Sequence, residues 1–292
     1  KIIEDSSKEI TARKNKKNLK KIIIKSNTSK KQFKKNVSIA KKHIELGDIF
    51  QVVLSQRFEA KLQKKPLEIY KKIRKTNPSP FLYFINYDDF QIVGSSPEIL
   101  VRVKDNKITI RPIAGTRPRG KNKQKDNSLQ KELLADPKEI SEHLMLLDLG
   151  RNDVGKFSET GTVKVDSQFK IEKYSHVMHI VSNVTGTLKK NSSLIDVLMS
   201  GFPAGTVSGA PKIRAMEIID SLEKNKRKLY AGGIGYFSPK NNMDTCIALR
   251  TAIVKNKKVY IQAGAGIVAD SNPEKEYQET LNKAKALIEA SK

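Results

Sequence analysis

The stretch GGIGYFSPKNNMDTCIALRTAIVKNKKVYIQAGAGIVADSNPEKEYQETLNKAKALIEA, residues 232–290, decides the fold class. Three apolar runs, at about 232–238, 244–254 and 258–263, follow one another with short polar turns between them and read as neighbouring strands. Gly264–Ala265–Gly266 closes the third run, and a helix follows from about Pro273 to Ala290. Strands in direct succession, with the helix after them, argue for α+β rather than alternating α/β.

The same pattern extends upstream. Phe50–Phe58 reads as a buried strand, and runs at about 81–87, 90–95, 99–103 and 107–112 as further strands. Ser26–Asn27–Thr28–Ser29 is a capping cluster, followed by Phe33, Val37, Ala40 and Ile44 at helical spacing as far as Gly47. Pro66–Lys75, 137–150 and Ile213–Leu222 also read as helices, and 117–128 (RPRGKNKQKDNS) as a mobile polar loop. The expectation is α+β: one domain over 27–292, with a large antiparallel or mixed sheet and outer helices. Residues 1–26 read as a Lys-rich linker from a region outside this sequence.

Composition excludes several classes. The chain has 292 residues, no Trp, 38% hydrophobic residues and no uninterrupted apolar run of the ~18 needed to span a bilayer, so no membrane association is expected. The opening KIIEDSSKEITARK lacks the apolar core of a signal peptide. The single cysteine, Cys246, sits in a strand pattern and fits a reducing, cytoplasmic setting. The net charge of +25 raises nucleic-acid binding as a possible role, and residues 1–65 carry 17 Lys and 2 Arg against 6 acids. Those Lys residues are scattered over polar faces without interleaved aromatics, so no nucleic-acid partner is expected.

Two helices each place a pair of carboxylates one turn apart: Glu139 with Glu142, and Glu276 with Glu279. At this spacing the two members share a face. Four carboxylates converging from two helices would suit Mg²⁺, although spacing alone favours a solvated surface. Gly264–Ala265–Gly266 and the Gly-rich stretch 201–211 are either ordinary turns or places where backbone N–H groups approach an anion. His176 and His179 are three apart with no Cys nearby, which argues against zinc.

Six longer motifs go beyond such generic reading: IRPIAGTRPRG (110–120), KEISEHLMLLDLGRNDVGK (138–156), KYSHVMHIVSNVTG (173–186), GFPAGTVSGAPKIRAMEIID (201–220), DTCIALRTAIV (244–254) and QAGAGIVADSNPEKEYQET (262–280). In sequence and order they resemble the chorismate-utilising enzymes, most closely the anthranilate synthase component I branch. Aminodeoxychorismate synthase component I is the alternative. The resemblance implies paired sheets with the active site in a cleft, and it implies roles. Glu142 and Glu279 would be Mg²⁺ ligands, with Glu139 and Glu276 holding water on the metal. Gly264, Ala265 and Gly266 would offer backbone contacts to a substrate carboxylate. Tyr230 and Arg250 would hold the enolpyruvyl carboxylate, Gly115 and Thr116 would touch substrate, and Thr206 and His179 would lie near the departing ring hydroxyl. Ala114 and Gln51 stand where other branches carry a Lys nucleophile and a Lys base, which favours ammonia as the nucleophile. The resemblance further implies a glutamine amidotransferase subunit as partner in a hetero-oligomer, and a longer N-terminal region that completes the sheet.

Overall fold

The structure, a computed structural model, describes residues 23–174 and 177–292. The expectations for residues 1–22 and for His176 lie outside the described residues. The strands in chain order are β1 (Ile24–Ser26), β2 (Gln51–Lys61), β3 (Phe81–Asn86), β4 (Phe90–Ser96), β5 (Ile99–Lys104), β6 (Lys107–Ile110), β7 (Ile113–Pro118), β8 (Lys164–Lys173), β9 (Val177–Thr187), β10 (Gly209–Ala210), β11 (Gly233–Ser238), β12 (Asn242–Ile247), β13 (Thr251–Lys255) and β14 (Lys258–Ile267). The helices are α1 (Lys30–Glu45), α2 (Pro66–Thr76), α3 (Lys123–Ala135), α4 (Pro137–Phe157), α5 (Leu194–Gly201), α6 (Lys212–Leu222) and α7 (Pro273–Ser291).

One sheet has the order β1-β2-β14-β13-β4-β3, with β10 on β2. The other has β11-β12-β5-β6-β9-β7, with β8 on β9. Every described pairing is antiparallel, so the α+β sheet pair is observed without a parallel component. Helices bury their apolar stripes on the sheets. Ile69 and Ile73 of α2 and Ala284 and Leu287 of α7 pack against Val93, Val254 and Val259. Phe33 and Val37 of α1 and Ala215 and Ile218 of α6 pack against Val52, Leu54 and Ala265. Leu147 and Val154 of α4 and Val197 of α5 cover Val101, Val103 and Val184. Among the described residues no helix is long and apolar enough to cross a membrane.

Helix starts follow the capping chemistry of the sequence. Ser29 accepts from Gln32 N–H, Asp136 from Lys138 and Glu139, and Asn272 from Glu274 and Lys275. Several expectations are corrected. The boundary drawn after residue 26 leaves β1 on the linker side, although Ile24–Ser26 pairs with Phe58–Ala60 of the sheet. The polar loop 117–128 is tied down. Asn122 caps α3, and Arg119 grips Asp126 through Nε and Nη2. Helix α4 runs past Gly150 to Phe157, and Val154 beyond the glycine is buried in the core. The run 244–254 is two strands in different sheets. The chain crosses between them at Ala248–Arg250, where Arg250 adopts a φ of 46°. Finally, Gly264–Ala265–Gly266 lies inside β14, paired with Ser55, Leu54 and Val53 of β2.

Candidate active site

A cleft of about 430 Å³ is walled by both sheets and by the first turns of α4 and α7. Its position follows from the sheet register. Strand β13 pairs with β14 only from Ala252↔Ile261 to Lys255↔Lys258, and beyond Ile261 that edge of β14 is uncovered. Ala263, Gly264 and Gly266 therefore border the cleft, with Arg250 at the end of the crossover. In a strand the residues alternate in direction. The Ala265 methyl is fully buried against α1 and α6, so any contact of this residue with the cleft is through its backbone, as expected for all three residues.

The other expected residues all border this space. Glu139 and Glu142 reach it from α4, Glu276 and Glu279 from α7, and Gly115, Thr116 and His179 from β7 and β9. Gln51, Thr206, Tyr230 and Arg250 close the remaining sides. Burial first, then the neighbouring Glu139, pushes the Glu142 carboxyl above its usual range. Burial and then Glu279 do the same for Glu276. Gln51 Nε2 donates to Glu142 Oε1 at 3.0 Å, and the carboxylate fixes which end of that amide donates. Among the described residues Gln51 Oε1 is buried without a hydrogen-bond partner. Arg117 engages Glu139 at 2.9 Å. Among the described residues no three His, Cys, Asp or Glu side chains stand close enough together to hold a metal.

The far end of the cleft is cationic. Burial lowers the pKa of Arg250, and among the described residues no carboxylate lies within ion-pair distance of it. A buried guanidinium without a carboxylate, held on a left-handed backbone, is poised for an incoming anion. Tyr230, which lines the same cleft, has its phenol pushed up to about 12 by burial, so it is a neutral donor.

His179 Nδ1 lies 3.2 Å from the Gly115 carbonyl and 3.0 Å from Thr116 Oγ1. A carbonyl only accepts, so the Nδ1 proton is directed there and Nε2 keeps its lone pair. Burial lowers the imidazole pKa, against the Gly115 carbonyl, which favours the charged form. His179 is thus arranged as a proton acceptor.

Two residues of the site were missed in the sequence. Glu98, between β4 and β5, is buried and its carboxyl is raised to about 7 by desolvation, with Thr206 the main opposing influence. Thr206 Oγ1 faces it, close enough to draw that value down but without a hydrogen bond of good geometry. A Glu inside the otherwise apolar IVGSSPEILV (92–101) is the signal that could have found it. Lys283 is the second. Its Nζ lies 2.6 Å from Glu279 Oε1 and donates to the Gly264 carbonyl at 3.0 Å. It is the i+4 partner of Glu279, a spacing at which opposite charges meet on one helix face.

One cleft therefore brings together Arg250, four carboxylates from α4 and α7, the raised carboxyl of Glu98 and the imidazole of His179. The match to known proteins agrees. Residues 2–289 match the family described as chorismate binding enzyme. The chain is 56% identical over 268 residues to anthranilate synthase component 1 of Cereibacter sphaeroides, covering 92% of this chain and 54% of that protein. The crystal structure of anthranilate synthase component I from Streptococcus pneumoniae superposes with a TM-score of 0.87 at 45% identity, covering 98% of this chain and 65% of that one. The menaquinone-specific isochorismate synthase MenF of Escherichia coli shares the fold, with a TM-score of 0.84 at 24% identity over 99% of this chain and 68% of its own. The chain belongs to the chorismate binding enzyme family. It spans about half the length of the curated relatives it matches.

Gly264 tests the anion end of the cleft. A Cβ there would meet Tyr230 Oη at 2.7 Å and the Leu54 carbonyl at 3.0 Å. Overpacking of this kind costs ~1–3 kcal/mol, so Gly264→Ala is expected to raise the KM for chorismate roughly tenfold or more. An unchanged KM would show that this edge does not meet substrate.

Proposed function

We propose that the chain is the chorismate-binding catalytic region of an anthranilate synthase large subunit, a lyase that converts chorismate and ammonia into anthranilate, pyruvate and water. The observation that carries this reading is Arg250, without an ion-pair partner among the described residues, lining one cleft with the carboxylates of α4 and α7, Glu98 and His179. Chorismate has two carboxylates. Arg250, Tyr230 and the open edge at Gly264 would take the enolpyruvyl carboxylate, with Gly115 and Thr116 as further contacts.

The two proton carriers divide the chemistry. Glu98, protonated below about 7, donates to the departing ring hydroxyl, which leaves as water beside Thr206. Gln51 Oε1, a buried acceptor without a donor, suits an N–H of the incoming ammonia. His179 Nε2 takes the proton that ammonia sheds on forming the C–N bond. Loss of the ring proton and of the enolpyruvyl group, which departs as pyruvate, then aromatises the ring. Ala114, buried at the cleft wall where aminodeoxychorismate synthases carry a nucleophilic Lys, favours anthranilate over aminodeoxychorismate as product.

The donor set suits a hard divalent cation. It is all oxygen, and Glu142 and Glu276 are raised partly by the charge of their neighbours, a repulsion that a cation would relieve. Glu142 and Glu279 would hold Mg²⁺, with Glu139 and Glu276 steadying its water. The bound metal would anchor and polarise the ring carboxylate of the substrate. Ammonia would come from a glutamine amidotransferase subunit, making a hetero-oligomer. A cytoplasmic setting suits the buried thiol Cys246.

The reading is tested by incubating the protein with chorismate, ammonium salt and Mg²⁺, and following anthranilate by fluorescence and mass. Anthranilate and pyruvate in equal amounts are expected. Accumulation of aminodeoxychorismate instead would move the chain to that branch, and unconsumed chorismate would refute the reading.

A further inference from the structure

Arg227 lies outside the substrate cleft and yet is bonded to its walls. Its Nη1 donates to the Val207 carbonyl at 2.6 Å and its Nη2 to the Val53 carbonyl at 2.5 Å. Nη2 and Nε also donate to Glu223 Oε1 and Oε2, at 2.6 and 3.0 Å, and the cation lies 5.4 Å from the centre of the Tyr230 ring. Glu223 Oε1 accepts in turn from the Ser55 N–H and Oγ, at 2.8 and 2.9 Å. Val53, Val207 and Tyr230 all border the cleft, so three separate segments converge on one buried ion pair.

The turn that Arg227 grips carries Thr206, whose hydroxyl is buried beside Glu98 without a hydrogen bond of its own. Among the described residues no hydrogen bond of good geometry holds the tip of that side chain, so its place is set by the backbone of the turn. That backbone is anchored by Arg227 on the Val207 carbonyl, by Val53 N–H on the Ser208 carbonyl at 2.9 Å and by Ser208 Oγ on the Ala204 carbonyl at 2.8 Å. We infer that Arg227 is a positioning residue for the reaction: by holding the Val207 carbonyl it fixes Thr206 against Glu98, and it governs the chemical step rather than substrate affinity. The inference rests on the proton-donor reading of Glu98.

A lysine here keeps the charge beside Glu223 and under Tyr230 but cannot span the two backbone carbonyls and both carboxylate oxygens. In the intact polypeptide, Arg227→Lys is expected to lower kcat by ~10–100-fold, the effect of a small displacement relayed to reacting groups, with little change in KM. The melting temperature should stay close to that of wild type. Thr206→Val removes the group through which Arg227 acts, so the double variant should match Thr206→Val alone within about threefold. An unchanged kcat in Arg227→Lys, a loss expressed in KM, or a loss that adds in full to that of Thr206→Val would overturn the inference. A wild type that leaves chorismate unconsumed would sink the functional reading and this one with it, whereas an active wild type beside an unaffected Arg227→Lys would sink only this one.

Discussion

Replacing Glu98 by Gln is expected to lower turnover by ~10²–10⁴-fold, the usual worth of a positioned proton donor, while chorismate still binds. The carboxyl is buried, among the described residues it has no ion-pair partner, and desolvation lifts it to about 7. It therefore carries a proton where an ordinary glutamate has lost it. The wild-type kcat/KM, expressed per free ammonia, should fall as pH rises through about 7, and Glu98→Gln should lose that limb. Stability gives an independent readout of the same group. A carboxyl raised on folding contributes stability that is fully present below its unfolded value and is lost as pH rises through its folded one. Glutamine cannot ionise, so above about pH 7 Glu98→Gln should melt at or above the wild-type temperature. A variant that turns over at the wild-type rate, or that keeps the alkaline limb, would assign the proton to another group.

Removing either Glu142 or Glu279 is expected to abolish anthranilate formation with a native circular dichroism spectrum. The two come from helices far apart in sequence and meet in one cleft. Mg²⁺ takes few protein ligands, so losing one leaves an incomplete shell. The fall in Mg²⁺ affinity should exceed the ~10–100-fold typical of losing an outer-shell partner, which is the effect expected for Glu139→Gln or Glu276→Gln. The pH dependence has a definite sign. The Glu142 and Glu276 carboxyls are raised, a cation competes with their protons, and so Mg²⁺ affinity should weaken as pH falls. Calorimetric Mg²⁺ titration in the presence of chorismate reads the binding, and product fluorescence reads the activity. Full activity of either variant, or of the parent in excess EDTA, would remove the metal from the mechanism.

Much of the architecture was legible because local chemistry and tertiary demand agree. Ser29, Asp136 and Asn272 start helices where side-chain oxygens meet free N–H groups, and the alternating runs became antiparallel strands. Disagreement fell at the site. DTCIALRTAIV carries no Gly or Pro, and nothing local says that it must change sheets at Arg250. QAGAGIV reads as a strand end followed by a turn, because glycines usually close strands; in the fold the glycines stay in the ladder, where only a missing side chain leaves room for Tyr230 and Gln51.

The sequence by itself determined the sheet-rich α+β class, the helix starts, the two carboxylate pairs and, through its motifs, the family. Each of these depends on residues close together in the chain. Only the tertiary structure decided that burial raises the Glu98 carboxyl, that His179 Nδ1 faces the Gly115 carbonyl, that the Ala265 methyl is buried under helices and that Lys283 belongs to the cleft. A pKa depends on which groups exclude water around a carboxyl, and a tautomer on which carbonyl faces the ring; here those neighbours come from strands and helices distant in sequence.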